Sequence, residues 1–174
     1  MQEFTMEQQE RRAAVDLLRE AREKLEEEAQ RIETELRIIL PKEINAAMAH
    51  GDLSENAEYH AAKERQSTLQ ARMGHIQKRL ADLSRIDVSS IPGDRVGLGS
   101  EVTVENVETG ETVRYTLVIP EIADGKKNFV SVAAPVGRAL LNRKVGDAVT
   151  VSIPKGTYEF EVRKFVTHSG NVFE

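Results

Sequence analysis

Two segments with the apolar periodicity of helices flank one short polar stretch, and this arrangement most constrains how the chain can fold. The stretch covers residues 51–59 and reads Gly-Asp-Leu-Ser-Glu-Asn-Ala-Glu-Tyr. Pro41 is the only proline among residues 1–86, so helix breakers are almost absent on both sides. Two periodic segments joined by a short polar turn predict an antiparallel helical hairpin with residues 51–59 at its tip.

The apolar residues of both segments recur mostly in steps of three and four, which is typical of a coiled-coil seam. In the first segment they are Ala14, Leu18, Ala21, Leu25, Ala29, Ile32, Leu36 and Ile39, continued by Ile44, Ala47 and Met48. In the second they are Tyr59, Ala62, Gln66, Leu69, Met73, Ile76, Leu80 and Leu83. Pro41 interrupts the first series and predicts a kink near residues 37–41.

The pattern changes beyond Ile86 from a helical period to short alternating runs. Pro92-Gly93 marks residues 87–96 as a linker. Alternation predicts strands at residues 101–107, 112–119, 129–133, 148–153 and 158–165, with a short helix at 135–141. From His168 onward nothing in the sequence gives a reason for order.

These patterns predict an α+β chain. We expect a long N-terminal antiparallel α-helical coiled-coil hairpin over residues 1–86, a linker over 87–96, and a small antiparallel sheet domain with one short helix over 97–174.

Composition removes several classes of function. The net charge of −5 argues against a protein that coats nucleic acid by itself. Cysteine is absent and the four histidines are scattered, which disfavours a zinc site. No apolar run approaches the roughly 20 residues that span a bilayer, and the N-terminus lacks the apolar core of a signal peptide. We therefore expect a cytoplasmic protein that does not enter membranes.

Asp52 and Glu55 carry the most informative chemistry of the tip, and two interpretations compete for them. Asp-x-x-Glu at a helix start is also a capping box, and spacing alone favours that interpretation. Capping, however, does not require the apex of a long hairpin. Two carboxylates in such a place also suit Mg²⁺, although two ligands bind it weakly, so the metal site would be shared with a partner.

Two stretches carry a specific resemblance. Residues 51–64 read Gly-Asp-Leu-Ser-Glu-Asn-Ala-Glu-Tyr-His-Ala-Ala-Lys-Glu, and residues 130–141 read Val-Ser-Val-Ala-Ala-Pro-Val-Gly-Arg-Ala-Leu-Leu, followed by Val-Gly-Asp-Ala-Val at 145–149. Both resemble the GreA/GreB family of bacterial transcript-cleavage factors, its GreA branch in particular. The resemblance extends from about Leu17 to Phe165.

The resemblance implies a function for each half of the chain. The sheet domain would be FKBP-like and dock at the rim of the secondary channel of RNA polymerase, while the coiled coil enters the channel. Asp52 and Glu55 would help hold a Mg²⁺ ion shared with the polymerase and orient the water that cleaves the 3′ end of backtracked RNA. The chain itself would be a monomer, no enzyme, and without a stably bound metal. Weaker candidates for supporting the tip are Ser54, Asn56 and Tyr59.

Arginines recur every seven residues along the second helix. If the hairpin folds about residues 53–54, the predicted neighbours are Arg72 with Glu35, Arg79 with Glu28, and Arg65 with Lys42. Because Arg65 lacks an acidic neighbour in this register, it becomes the candidate for contact with RNA or polymerase.

Two other functions compete with cleavage. The first is a regulator that occupies the same channel and modulates or inhibits polymerase without cleavage. The second is a structural coiled-coil adaptor, which explains the heptads but not the sequence of the tip. The arrangement of Asp52 and Glu55 favours the cleavage factor.

Overall fold

The computed structural model describes residues 2–49, 51 and 53–174, with side chains from Ala14 onward. Packing divides the chain into two compact units: Arg22–Ile86, and Met1–Ala21 together with Asp87–Glu174. The predicted division at residues 86 and 96 stays a prediction, while the compact units group the first 21 residues with the sheet-containing half.

Helices account for nearly all of the first half. Helix α1 spans Gln2–Thr34, a π-helical turn spans Glu35–Ile39, α2 spans Leu40–Met48 and α3 spans Ala57–Ser84. The predicted seam of α3 is confirmed, because Ala62, Ile76 and Leu83 are buried and the other five seam residues are half-buried. None of the helices in the described part of the chain combines the length and apolar character that crossing a bilayer requires.

The π-helical turn corrects the predicted seam of the first arm. Leu40 is fully buried, whereas Ile39, which the heptad pattern placed in the seam, is 43% exposed. The seam residues Ile32, Leu36, Leu40 and Ile44 follow one another in steps of four, and such a run drifts around an α-helix. Widening one turn absorbs the drift, and the Leu40 N–H accordingly donates to the Glu35 carbonyl, five residues back.

Pro41 explains where the wide turn forms. A proline inside an α-helix crowds the carbonyl four residues before it and has no N–H to donate. In the structure Pro41 instead lies in the first turn of α2, directly after the π-helical turn. The predicted disturbance near residues 37–41 is therefore a change of helix type over Glu35–Ile39.

The second half forms one six-stranded mixed sheet. Strand β1 spans Glu101–Asn106, β2 Thr112–Val118, β3 Phe129–Ser131, β4 Ala148–Ile153, β5 Gly156–Val166 and β6 Val172–Phe173. The order is β3-β2-β1-β5-β4, with β6 paired to β5. Both predicted hairpins, β1/β2 and β4/β5, are antiparallel, whereas β3 pairs in parallel with β2. The sheet is thus antiparallel except at its β3 edge.

One face of the sheet carries the core. Buried side chains alternate with half-buried ones along β1 and with exposed ones along most of β4, as expected for a sheet with one face covered by the core. Helix α4, Pro135–Leu140, packs beside β3 and contributes the buried side chain of Leu140. The largest buried side chains of this core include Phe165, Leu117, Leu140, Val96, Val102, Val104 and Val162.

The C-terminal tail is ordered, so the prediction that it lacks a reason for order is wrong. Strand β6 pairs with the end of β5, and the Phe173 ring stacks on Phe165 with centroids 4.7 Å apart. His168 is 7% exposed, and its Nε2–H donates to the carbonyl of Ile91 over 3.2 Å. Hydrogen bonds and an aromatic contact, neither visible as a periodic pattern, therefore hold the tail.

Candidate functional site

The loop between α2 and α3 contains the predicted tip. Helix α2 ends at Met48 and Gly51 has a φ of +103°, a conformation for which glycine is favoured at a helix end. Asp52 lies outside the described residues, so its predicted role stays a prediction. Glu55 is exposed and non-helical, and no described residue forms a hydrogen bond or ion pair with its carboxylate. None of the described residues therefore competes with an external ligand for its two oxygens.

Asn56 caps helix α3, which argues against the competing interpretation of Asp52 and Glu55 as its capping box. Helix α3 begins at Ala57, and the Asn56 side-chain oxygen accepts a hydrogen bond from the Tyr59 N–H over 3.0 Å. This is the N-cap geometry, in which the third helical N–H is satisfied by a side chain. The capping box would require the helix to start four residues earlier than it does. Glu55 therefore precedes the cap and takes no part in it.

The same Asn56 side chain ties the two arms of the hairpin together. Its Nδ2–H donates to the carbonyl of Ala47, near the end of α2, over 2.7 Å. Asn56 is half-buried, which shields both of its side-chain hydrogen bonds from water. Of the three predicted supporting residues, Asn56 thus has a structural role at the base of the loop, and Tyr59 contributes its backbone N–H to that role.

His60 is a tip residue that the sequence analysis did not single out. Its Nε2 lies 3.2 Å from the carbonyl oxygen of Ser54, and its ring meets Tyr59 edge-on at 5.7 Å with an interplanar angle of 72°. The position of His60 relative to the N-cap was the one feature of the sequence that could have indicated this contact. The fourth residue after an N-cap faces the chain that enters the helix, and His60 is the fourth after Asn56.

The ion pairs along the hairpin differ from the predicted register by one heptad. Arg72 donates to Glu28 through Nε and Nη2, at 2.6 and 2.9 Å, instead of to Glu35. These hydrogen bonds lower the pKa of the Glu28 carboxyl and raise the pKa of Arg72. Arg65 pairs instead with Glu35 through its Nε, and its Nη1 lies 3.6 Å from Glu43.

This pairing contradicts the reason for assigning Arg65 to contact with RNA or polymerase. The assignment assumed that Arg65 faces Lys42 and lacks an acidic partner, but two carboxylates surround it. Three features move the pairing. The loop between Met48 and Ala57 is centred nearer the N-terminus than residues 53–54, the π-helical turn adds a residue to the arm formed by α1 and α2, and these long side chains reach one turn along the helix.

The donor set at the tip fits a partial site for Mg²⁺. An exposed carboxylate such as that of Glu55 is the hard oxygen ligand that Mg²⁺ takes, usually one or two at a time beside ligands from phosphate and water. Across residues 2–49, 51 and 53–174 there is no group of three His, Cys, Asp or Glu side chains that could hold a metal ion. Further ligands would have to come from Asp52, from water or from a partner.

Comparison with known proteins covers both halves of the chain. A family model described as "Transcription elongation factor, N-terminal" matches residues 4–84, and one described as "Transcription elongation factor, GreA/GreB, C-term" matches residues 91–166. The chain is 44% identical to the transcription elongation factor GreA of Anaeromyxobacter sp. (strain K), covering 80% of this chain and 84% of that protein. It is 43% identical to GreA of Chlorobaculum tepidum, covering 84% and 92%.

Among solved structures, the chain is similar to the crystal structure of Gfh1 from Thermus aquaticus, at 31% identity over 87% of this chain and 90% of that one, with a TM-score of 0.39. The assignment of a family rests on the sequence matches, which confirm the resemblance seen in the motifs at residues 51–64 and 130–149. The chain belongs to the GreA/GreB family of transcription elongation factors.

Proposed function

We propose that this elongation factor acts on bacterial RNA polymerase by placing residues 51–59 in the secondary channel, where Asp52 and Glu55 stimulate cleavage of backtracked RNA 3′ ends. The polymerase would carry out the cleavage, and the factor would contribute part of the active site. Membership of the family and the tip sequence support this proposal.

One observation carries the catalytic part of the proposal. The N-cap of α3 is Asn56 and Glu55 precedes it, so Glu55 is not the third helical residue that a capping box would require. Glu55 remains exposed and without a described partner at the apex of the hairpin. A carboxylate that forms no hydrogen bond or ion pair with the described residues can act as a ligand for an ion outside the chain.

The proposed roles follow from the chemistry of carboxylates. Asp52 and Glu55 would hold a Mg²⁺ ion together with groups of the polymerase, and when bound, that ion supplies charge stabilisation and activation of water for phosphodiester hydrolysis. Glu55 can also accept a hydrogen bond from a water molecule and so orient it. The factor alone would hold no metal stably, because two carboxylates are too few ligands.

A transcript-cleavage assay on stalled, backtracked polymerase complexes tests the proposal. Wild-type factor is expected to shorten the RNA from its 3′ end in the presence of Mg²⁺. Asp52→Ala and Glu55→Ala should each reduce stimulated cleavage by at least on the order of 100-fold, the usual effect of removing a group that stabilises developing charge. Both variants should still bind polymerase, since neither change touches the sheet-containing unit.

Glu64→Gln is the matched control, because it removes one exposed carboxylate from α3, two turns beyond the tip loop. It should cleave like wild type. Cleavage at the wild-type rate by Glu55→Ala would remove Glu55 from the mechanism. If wild type slows RNA synthesis without cleaving, the chain is a regulator that occupies the channel.

A further inference from the structure

We propose that His60 is a positioning residue that fixes the backbone of Glu55 at the tip, an inference that rests on the proposed role of Glu55. The position of a carboxylate that must meet a shared ion depends first on where its backbone points. The structure contains two contacts that set this direction, and helix α3 supplies one of them through His60.

Hydrogen bonds hold both peptide planes that flank Glu55. The plane before it contains the Ser54 carbonyl, whose oxygen accepts from His60 Nε2 over 3.2 Å. The plane after it contains the Asn56 N–H, which donates to the Leu53 carbonyl over 3.4 Å. Peptide planes are rigid, so the backbone at Glu55 turns only about φ and ψ between them. Restraining both planes restrains both angles, so the side-chain torsions of Glu55 become its main remaining freedom.

The chemistry of the acceptor also sets the direction of this hydrogen bond. The Ser54 oxygen is a carbonyl and can only accept, so His60 Nε2 must carry a hydrogen and donate it. The edge-on contact with Tyr59 restricts rotation of the His60 ring, and Tyr59 is itself half-buried. The donor is therefore directed toward the loop by a neighbour on the same helix.

His60 and Asn56 act on different parts of the loop. Asn56 joins the start of α3 to Ala47 in the opposite arm, which sets the distance between the arms. His60 instead reaches back over the first turn of α3 to the segment that enters the helix. Loss of His60 should thus loosen residues 54–55 while the hairpin and its helix cap persist.

Two substitutions of similar size separate the donor from the rest of the side chain. In His60→Gln the amide nitrogen lies the same number of bonds from the backbone as Nε2, so the donor is retained. In His60→Asn the amide nitrogen is one bond shorter and falls short of the Ser54 oxygen. Glu64→Gln, one helical turn further along α3, serves as the control for substitutions outside the loop.

The first measurement is the ¹⁵N order parameter of the Glu55 amide in the full-length chain, without polymerase or metal. In wild type and His60→Gln it should approach the value of about 0.85 that is typical of rigid backbone, and in His60→Asn it should fall toward about 0.6. Equal order parameters in all three proteins would overturn the proposal. This result does not depend on whether the factor stimulates cleavage.

The second measurement is cleavage by backtracked polymerase complexes as a function of Mg²⁺ concentration. His60→Asn should raise the Mg²⁺ concentration for half-maximal cleavage by ~2- to 12-fold, the range for losing one hydrogen bond, while the factor concentration for half-maximal cleavage stays unchanged. His60→Gln should restore the wild-type value. Wild-type behaviour of His60→Asn, or equal loss in both variants, would refute positioning by the donor. Absence of cleavage by wild type would refute the proposed function instead.

Discussion

Replacing Gly137 by alanine should destabilise the sheet-containing unit, although alanine is the better helix former. A Cβ atom at Gly137 in α4 would lie 2.1 Å from the carbonyl oxygen of Ser131 and 2.8 Å from its carbonyl carbon. Real Cβ atoms essentially never approach another atom closer than 3.0 Å. The obstacle is backbone at the end of β3, so no side-chain rotation relieves it.

The two opposing effects differ in size. Alanine in place of glycine inside an exposed helix stabilises by about 1 kcal/mol. Forcing extra volume into a close-packed contact typically costs about 1–3 kcal/mol, and more when backbone must move. Because the clash at Gly137 is with backbone, the cost should lie at the upper end of that range, and after subtraction of the helix-propensity gain we expect a net destabilisation of about 2 kcal/mol for Gly137→Ala.

Gly74→Ala in α3 provides the control with the opposite sign. Nothing lies within 4 Å of a Cβ atom at Gly74, so only the helix-propensity effect applies and the variant should gain about 1 kcal/mol. Native-state hydrogen exchange reports each unit separately, with amides of β1 for the sheet and amides of α3 for the hairpin. If the β1 amides are as well protected from hydrogen exchange in Gly137→Ala as in wild type, α4 does not contact Ser131 in the way described above.

Two further predictions concern the tail and the hairpin. Phe173→Ala should destabilise the sheet-containing unit by about 1–2 kcal/mol in urea unfolding, because it removes the ring stacked on Phe165, whereas Val172→Ala, at an exposed position, should leave it unchanged. Equal effects of both would contradict an ordered tail. Arg72 lowers the pKa of Glu28 in the folded chain, so this carboxylate contributes stability above its ordinary pKa of 4.5 and loses the contribution as pH falls through the lowered value. The difference in free energy of unfolding between wild type and Glu28→Gln should therefore be constant above pH 4.5 and shrink as the pH falls from 4.5 through the lowered pKa of Glu28. A difference that persists at still lower pH would contradict the ion pair.

The hairpins of the sheet and the seam of α3 were predictable because they depend on periodicity. One face of β1 and of β4 is buried, and a slip of one residue would turn every apolar side chain to the other face. The alternation of apolar and polar residues therefore determines both the strands and their register. The same holds for α3, in which one stripe of side chains faces the partner helix.

The start of α3 was not predictable from local sequence, because two capping patterns overlap there. Asp52 with Glu55 matches a capping box, and Asn56 is an equally good N-cap residue. The Asn56 side chain satisfies two groups at once, the Tyr59 N–H and the Ala47 carbonyl. The second partner belongs to the opposite arm, so the deciding contact exists only after the hairpin has formed.

Other differences also arise from contacts between distant residues. The partners of Arg65 follow from where the π-helical turn and the start of α3 set the register, which no count of residues from the tip provides. The tail lacks a periodic pattern, yet the hydrogen bonds of β6 with β5 and the contact of Phe173 with Phe165 order it. The helix or strand propensity of a residue is a weak guide wherever such tertiary contacts determine the local structure.

Because of the π-helical turn, the rotation of α2 about its own axis depends on the number of residues between α1 and α2. Deleting one residue within Glu35–Ile39 would return the arm formed by α1 and α2 to steps of four and three, the spacing of an ordinary heptad. Such a deletion would rotate the tip-proximal helix by roughly 100° about its axis relative to α1, the angle of one α-helical residue. Point substitutions leave this angle in place, so insertions and deletions are the sequence changes by which the orientation of the tip could be altered between relatives.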